Sequence, residues 1–431
     1  MSVIVIALEL ALGAIVTVVC VYAVRQYVFT LNRLFGRQRH PFMDVRTADW
    51  PSVTVLIPAH NEEAVIGHTL AALLRADYPP ERVTIVPIDD ASTDGTPRII
   101  DLFAARHPGR IVPVHRPNGG MGKAAAMLDA TNCTSGEVVV VFDADYTPST
   151  GLLKRLVAPF FDPEVGAVMG RVVPENAGRN LLTRLLDLER AGGYQVDQQA
   201  RMNLSLVPQF GGTVGGVRRL ALQDVGGWRL DTLTEDTDLT IRLVMAGWQI
   251  VYENRAECYE EVPETWGARY RQIERWARGH NEVLRRYGLT LVLACPLPLA
   301  QRIDGLLLLG VFLLAPLMLL GWAMTLMLFY MGHVAALPAT AVLVVATYAT
   351  MGNVAAFFEI AAAARLDGIR GRVRLLPFLG IGFFVSLIAV SVAALPQFAR
   401  WRVTQPPRWS KTPRSRTSDA FASGGVDEAI A

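Results

Sequence analysis

No two cysteines in this sequence form a pattern. The four present, Cys20, Cys133, Cys258 and Cys295, are scattered and include no C-x-x-C. That excludes a structural zinc site and a disulfide scaffold, and places the soluble part in a reducing compartment. Charge bias is also missing: 41 basic residues face 39 acidic ones, a formal net charge of +2. Nothing global therefore draws the chain to nucleic acid. The seven histidines show no H-E-x-x-H spacing, and no internal repeat or long low-complexity block is present. What the chain has in excess is apolar side chains. Hydrophobic residues make up 52% of its 431 residues and the mean hydropathy is +0.31, which points to membrane segments. The length suffices for a sizeable core and more than one domain.

Val3 to Val24 is almost wholly apolar, interrupted by Glu9 and small polar residues. About 20 such residues span a bilayer as a helix, and no small-residue cleavage site follows, so a retained anchor over 1–25 is expected. Arg25, Arg33, Arg37 and Arg39 come next, which puts the N-terminus outside and the following domain in the cytoplasm. Further apolar runs cover Gly305 to Tyr330, Ala339 to Ala362 and Leu375 to Leu395, giving a membrane region of about three helices over 303–396. Arg365 to Arg374 carries four arginines, so that connection belongs inside. Three spans would leave the tail outside, yet the 397–431 tail (Arg400, Arg402, Arg408, Lys411, Arg414, Arg416) is basic and prefers the inside. Its end is small and polar and expected to be disordered.

From 50 to 290 the pattern is that of an α/β domain. Val53 to Ile57 reads as a strand stopped by Pro58, followed by a helix from Glu62 to Ala76. Val83 to Ile88 is a strand, Thr96 to Ala105 a helix, Ile111 to His115 a short strand. Val138 to Phe142 is a strand apolar on both faces. Strands alternating with helices predict βαβ units and a parallel sheet, and such sheets bind ligands at the strands' carboxyl ends. Asn61-Glu62, Asp89-Asp90 and the Asp143/Asp145 pair all fall there.

Two carboxylates at the end of a buried strand are costly unless a cation meets them. A divalent metal that also holds an anionic substrate is the plainest partner, although a D-x-D pair also occurs in ordinary surface turns. Asp89-Asp90 leads into Ser92-Thr93-Asp94-Gly95, where an Asx turn and N-cap explain Asp94 and Gly95 but not the adjacent acids. One of those acids could accept hydrogen bonds from a base or ribose. Residues 118–123, N-G-G-M-G-K, do not form a P-loop, because Ala124 replaces the hydroxyl residue and the spacing differs. A flexible turn placing Lys123 at a helix start still suits a diphosphate; an ordinary turn explains it equally well. Glycines at 211, 212, 215 and 216 allow close backbone approach to a ligand. Thr234 to Asp238 opens an amphipathic helix. A capping box accounts for Asp238 and Glu235, and an acid left facing the cleft would make a general base. Arg271, Arg275 and Arg278 share one helical face, as a basic helix on the inner leaflet would arrange them. Trp276 beside Gln272 fits a platform for a sugar ring better.

In that order, Asp89-Asp90, Asp143-Ala144-Asp145, Thr234-Glu235-Asp236 and Gln272-x-x-Arg275-Trp276 resemble the processive family 2 glycosyltransferases, which include chitin, hyaluronan, cellulose and poly-N-acetylglucosamine synthases. The resemblance covers about Ser52 to Gly288. Residues 212–216, 234–239, 262–265 and the Trp409 to Arg414 tail look closest to the poly-N-acetylglucosamine branch, while Met127-Leu128-Asp129 and Ile273-Glu274 depart from the family's usual residues. It implies an α/β, GT-A-like nucleotide-sugar-binding domain flanked by transmembrane α-helices. By the same resemblance Glu62, Asp89 and Asp90 would hold the uridine, and Lys123 would lie near the phosphates. Asp143 and Asp145 would bind Mg²⁺ or Mn²⁺ with the donor diphosphate, and Asp236 would be the base. Gln272, Arg275 and Trp276 would close over the diphosphate and the acceptor sugar.

The expectation is a multi-pass plasma-membrane enzyme with a cytoplasmic catalytic domain. It would transfer a sugar, expected to be N-acetylglucosamine from its UDP donor, to a growing polysaccharide with inversion. One base without a covalent nucleophile predicts that stereochemistry. UDP-glucose or GDP-mannose as donor, or a single addition to a lipid, are the enzymatic alternatives. Accessory subunits are compatible with the sequence; a nucleic-acid partner is not expected. A transporter with a nucleotide-sensing domain would carry more ionisable residues within its spans than Glu9 and Glu359.

Overall fold

The computed structural model describes residues 3–41, 49–117, 119–120, 122–293, 296–332, 338, 340–343 and 355–399. A long helix α1 (Val3–Phe35) is followed by β1 (Val53–Ala59), α2 (Ile66–Leu74), β2 (Val83–Asp89), α3 (Thr96–Arg106), β3 (Val114–His115) and α4 (Lys123–Asn132). Next come β4 (Val138–Val141), β5 (Thr147–Pro148), α5 (Leu152–Val157), β6 (Val165–Pro174) and α6 (Leu181–Ala191). A π-helical turn, Gly192–Gln198, leads into α7 (Gln199–Asn203), β7 (Gly215–Arg218), α8 (Arg219–Asp224), α9 (Glu235–Met245) and β8 (Gln249–Glu260). The C-terminal region holds α10 (Trp266–Leu293), α11 (Leu299–Gly310), α12 (Leu314–Tyr330), α13 (Ala355–Leu366) and α14 (Leu379–Ala399).

The strands form one eight-stranded sheet, ordered β3-β2-β1-β4-β7-β6-β8-β5. The half from β3 to β4 is parallel, as the alternating pattern predicts. The all-parallel expectation fails beyond β4, because β7 runs antiparallel to both β4 and β6, and β5 antiparallel to β8. The physical reason lies in the glycine-dense stretch. It leads into β7, a strand with Gly215 and Gly216, rather than ending in a βαβ crossover. Period-2 alternation in β4 then divides the core. Val138 and Val140 pack with α2, α3 and α5, while Val139 and Val141 pack with α4, α8 and α9.

Several boundaries differ from the expected ones; β3 starts at Val114, with Ile111 making only an isolated bridge to Ile85. Pro58 lies inside β1 instead of stopping it. The β1–β4 ladder already ends at Leu56↔Val141, so on that side the proline lies beyond the pairing and no partner waits for its missing N–H. The helix expected from Glu62 begins at Ile66, because Asn61 takes a left-handed φ of 56° and Glu62 heads a turn whose carbonyl receives the Val65 and Ile66 N–H groups.

Three helical regions among the described residues are long and apolar enough to cross a membrane: Val3–Phe35, Leu299–Tyr330 and Gly371–Ala394. The run expected from Ala339 to Ala362 is described only at 340–343 and 355–362, and the basic tail with its Trp409 to Arg414 motif lies outside the described residues. α1 packs on α12 through Leu12, Ile15, Val19, Met318 and Leu328. Outward-facing Leu10, Leu320, Phe329 and Phe384 remain exposed, as lipid-facing positions would. α1 also runs on past its apolar part, where Arg33 donates to the Gln195 carbonyl (2.6 Å). α10 lies against this bundle through Ile273 and Ala277, which pack with Ala315, Ala389 and Ala393.

Candidate active site

Past Val141 the backbone turns with Phe142 buried beneath it, its N–H donating to the Leu56 carbonyl (3.1 Å). Asp143 and Asp145 follow at the sheet's mouth. The Asp143 N–H is taken by Thr213 Oγ1 (3.1 Å), and its carboxylate meets Lys123 Nζ at 2.6 Å. That same ammonium donates to the Gly212 carbonyl at 2.9 Å. Burial works against the lysine's charge, yet Asp143, Glu235 and Asp236 together hold its pKa above the ordinary value. Val214, a β-branched residue, takes a φ of +49°, and Asn61 and Ala91 at the ends of β1 and β2 are left-handed too. Strain of this kind persists only where surroundings enforce it, and it clusters at functional loops.

Glu235 and Asp236 open α9 and face the same space. Thr234 makes no side-chain cap, so the capping box does not form; Asp238 is instead buried against Arg242 (2.6 Å). The Asp236 carboxylate accepts the Thr237 N–H at 2.7 Å. Thr237 Oγ1 accepts from Gln209 (3.0 Å), which also lies 3.4 Å from His280 Nε2. Burial, then the neighbouring Asp236 charge, pushes Glu235 up to about 7. Burial pulls His280 down.

These groups share one cavity of about 730 Å³. Of the residues singled out in the sequence, its wall includes Glu62, Lys123, Asp143, Asp145, Asp236, Gln272, Arg275 and Trp276. Asp89 and Asp90 are not brought to that wall. Asp89 accepts the Ser92 N–H (3.0 Å) and lies 3.4 Å from His115, and Asp90 is fully buried against Arg116 and the Gly120 N–H (3.2 Å). Asp90 thus braces the loop that delivers Lys123. Asn118 and Met121 of that loop lie outside the described residues. On α10, Arg271 and Arg278 are exposed, and Arg275 lines the cavity. The Trp276 ring has two guanidinium groups against it, Arg190 at 5.3 Å and Arg269 at 5.6 Å from its centroid. Gln272 accepts from Arg269 at 2.9 Å.

Sequence reasoning missed a second polar cluster in the same wall. Buried Glu260 accepts from Tyr146 (2.7 Å) and pairs with Arg190 (2.7 Å). Burial and then Glu260 raise the Tyr146 pKa well above normal; burial works against the Arg190 charge, yet Glu260, Tyr194, Tyr146 and Glu189 together raise its pKa. The only nearby signal was the Val262 to Thr265 motif. Tyr194, Asp197 and Gln198 also line the cavity from the π-helical turn, a local geometry with no sequence signature beyond Gly192-Gly193 and one frequent at functional sites.

Such an arrangement, acids at the carboxyl ends of a mixed sheet beside a further acid at a helix start, defines a GT-A-like nucleotide-sugar-binding fold. A sequence profile described as glycosyltransferase like family 2 matches residues 51–279, and the chain belongs to that family. A Bacillus subtilis protein called probable glycosyltransferase YdaM is 37% identical over 239 residues, 55% of this chain and 57% of that protein. The beta-monoglucosyldiacylglycerol synthase of Synechocystis is 36% identical over 236 residues, 55% of this chain and 49% of that one. The matches thus span about half the length of these curated relatives. Among solved structures, the mannosyltransferase PcManGT of Pyrobaculum calidifontis, in complex with GDP-Man and Mn²⁺, superposes with a TM-score of 0.59 at 24% identity, covering 91% of this chain and 99% of that one. At that identity the likeness speaks for the fold.

Proposed function

We propose that the protein is an inverting glycosyltransferase that moves a sugar from a nucleotide-sugar donor to a hydroxyl group on a membrane lipid. The observation that carries this reading is the shared wall: Asp143, Asp145, Lys123 and Asp236 line the same cavity as Leu307, Leu308, Val311, Phe312 and Phe383 of the apolar helices. An acceptor reaching the base from the bilayer would not have to leave its apolar surroundings. The glucosyldiacylglycerol synthase relatives support a lipid acceptor.

Asp143 and Asp145 supply hard oxygen donors in a wall that Glu235, Asp236 and Glu260 also line, so the site fits Mg²⁺ or Mn²⁺. Such an ion would neutralise charge developing on the leaving diphosphate. Lys123 and Arg275 add fixed positive charge on that side, where preorganised electrostatics contribute most. Glu62 faces the nucleoside end. Asp236 takes the acceptor's proton on the opposite side of the anomeric carbon, and a single displacement turns an α-linked donor into a β-glycoside. Gln272 and Trp276, held by Arg269 and Arg190, order the mouth above the diphosphate.

Elongation of a polysaccharide from UDP-N-acetylglucosamine is the second reading, favoured by Gln272, Arg275 and Trp276 standing together in the cavity wall. In both readings the domain over 50–290 is cytoplasmic, with anchors over 1–25 and 303–396. The deciding experiment incubates purified protein with radiolabelled UDP-glucose, UDP-N-acetylglucosamine or GDP-mannose, Mg²⁺ or Mn²⁺, and membrane lipid. A labelled product that moves as a single glycolipid on thin-layer chromatography is expected. A water-insoluble polymer selects the second reading, and no consumption of any donor overturns both.

A further inference from the structure

The end of the cavity away from Asp143 and Asp145 is lined by Gln26 of α1, Leu307 and Phe312 of the α11–α12 segment, Glu359 of α13, and Phe383 and Ser386 of α14. In the same wall four charges close a ring, and three of them, Arg25, Asp197 and Arg201, line the cavity. Arg25 pairs with Asp197 (3.1 Å) and Asp304 (3.4 Å), and Arg201 pairs with the same two acids (3.0 and 2.6 Å). Arg201 and Asp304 are buried, and Asp304 also accepts the Val207 N–H at 3.2 Å. The two guanidinium groups are thus fully matched by carboxylates, and they lie over the Phe29 ring besides. A buried, geometrically satisfied ring of this kind does not open readily, since freeing one member leaves an uncompensated charge. Glu359 is a further carboxyl group within the field of Asp197 and Arg25.

Among the described residues, the consequence is a polar pocket with no positive charge to spare, whether or not Glu359 carries its proton. It offers a carboxyl group, a primary amide and a hydroxyl, the groups that hydrogen-bond alcohols, set in an apolar wall. A phosphate-bearing lipid would need an unpaired cation. Among the described residues the cavity's other cations are Lys123, paired with Asp143, Arg190, paired with Glu260, and Arg275; Lys123 and Arg275 belong to the diphosphate end. We propose that this end is the acceptor headgroup site, that it selects an uncharged, hydroxyl-bearing lipid over an anionic one, and that Glu359 is the residue that sets this preference. The inference rests on the lipid-acceptor reading above and deepens it.

The test uses the full chain in nanodiscs containing dioleoylglycerol, dioleoylphosphatidylglycerol or undecaprenyl phosphate, with whichever nucleotide sugar it consumes. Transfer to dioleoylglycerol should exceed transfer to either anionic lipid at least tenfold (about 1.4 kcal/mol per decade). In Glu359→Gln the KM for dioleoylglycerol should rise about tenfold, with the Kd for the donor unmoved. Glu359→Lys should shift the ratio toward dioleoylphosphatidylglycerol. A wild-type preference for an anionic lipid, or a Glu359→Gln variant in which the acceptor KM stays put, overturns the proposal. So does donor hydrolysis to free sugar with transfer to none of the three lipids, which leaves the glycosyltransferase reading standing. If no donor is consumed under any condition, both fail together.

Discussion

The Lys123 ammonium lies 2.6 Å from Asp143 Oδ1, and the carbonyl of Gly212 takes a second of its hydrogen bonds at 2.9 Å. One cation therefore ties the start of α4, the turn after β4 and the glycine-dense stretch into a single wall. Lys123→Met would leave Asp143 without that partner. The expected loss, on the scale of a charge-assisted hydrogen bond of about 1.5–3 kcal/mol, is a rise of about 10- to 100-fold in donor KM. Titrating UDP against the variant checks it, and unaltered donor affinity would remove the lysine from the site.

Glu235 gives the protein a pH signature. Its carboxyl is raised from 4.5 to about 7 by burial and by Asp236. Between those two values the folded protein holds a proton that the unfolded chain releases, so stability falls as pH rises through that window. The stabilisation is full below the lower value and absent above the upper one. Glu235→Gln removes this group's titration. Melting temperatures at intervals from pH 4.5 to 7.5 should decline more steeply for the wild type than for the variant; parallel curves would show that Glu235 ionises normally.

Much of this site was legible because its chemistry sits next to a strongly apolar strand. Val138 to Val141 is apolar on every residue, so its carboxyl end, and with it Asp143 and Asp145, could be placed without coordinates. What the sequence did not show for Asp89 and Asp90 was their partners. Their position at a strand end was right, but the contacts of their carboxylates with Arg116, His115 and the Ser92 N–H come from the fold, and no local pattern encodes the long-range ones. The antiparallel β7 and the π-helical turn also escaped, since glycines specify permission rather than direction. Glu260 with Arg190 joins residues seventy positions apart; only folding brings them together.

Asp236→Asn keeps the side chain's shape and its acceptor oxygen for the Thr237 N–H but removes the base. Turnover should fall about 10²- to 10⁴-fold, the usual contribution of a positioned general base. Donor affinity should change little, because the amide touches neither proposed metal ligand. Single-turnover transfer rates together with equilibrium UDP binding separate the two effects. Normal turnover in this variant would assign the proton transfer elsewhere.

Asp145→Ala tests the cation site independently of catalysis. With one of two proposed ligands gone, the gain in UDP affinity on adding Mn²⁺ should shrink about tenfold or more, while binding in EDTA stays the same. Calorimetric titrations with and without metal give both numbers. Should Mn²⁺ enhance binding equally in variant and wild type, Asp145 holds no ion.

Gly279 on α10 carries the closest helix contact at the site. A Cβ built there would lie 2.2 Å from Thr234 Cγ2 and 2.6 Å from its Oγ1, so only glycine lets α10 approach the residue that precedes Glu235-Asp236. Gly279→Ala must push that segment, or the helix bearing Gln272, Arg275 and Trp276, out of place. Overpacking of this kind costs about 1–3 kcal/mol, and kcat should fall although neither residue touches substrate in the proposed mechanism. The partner offers the control. Thr234 Oγ1 is buried with no hydrogen-bond partner among the described residues, so Thr234→Ala forfeits no bond and clears the two nearest atoms, leaving only Cβ at 2.9 Å. The double variant should recover part of the lost kcat and melting temperature, a coupling that a double-mutant cycle measures directly. Strictly additive losses would mean that the two segments do not meet as closely as the fold requires.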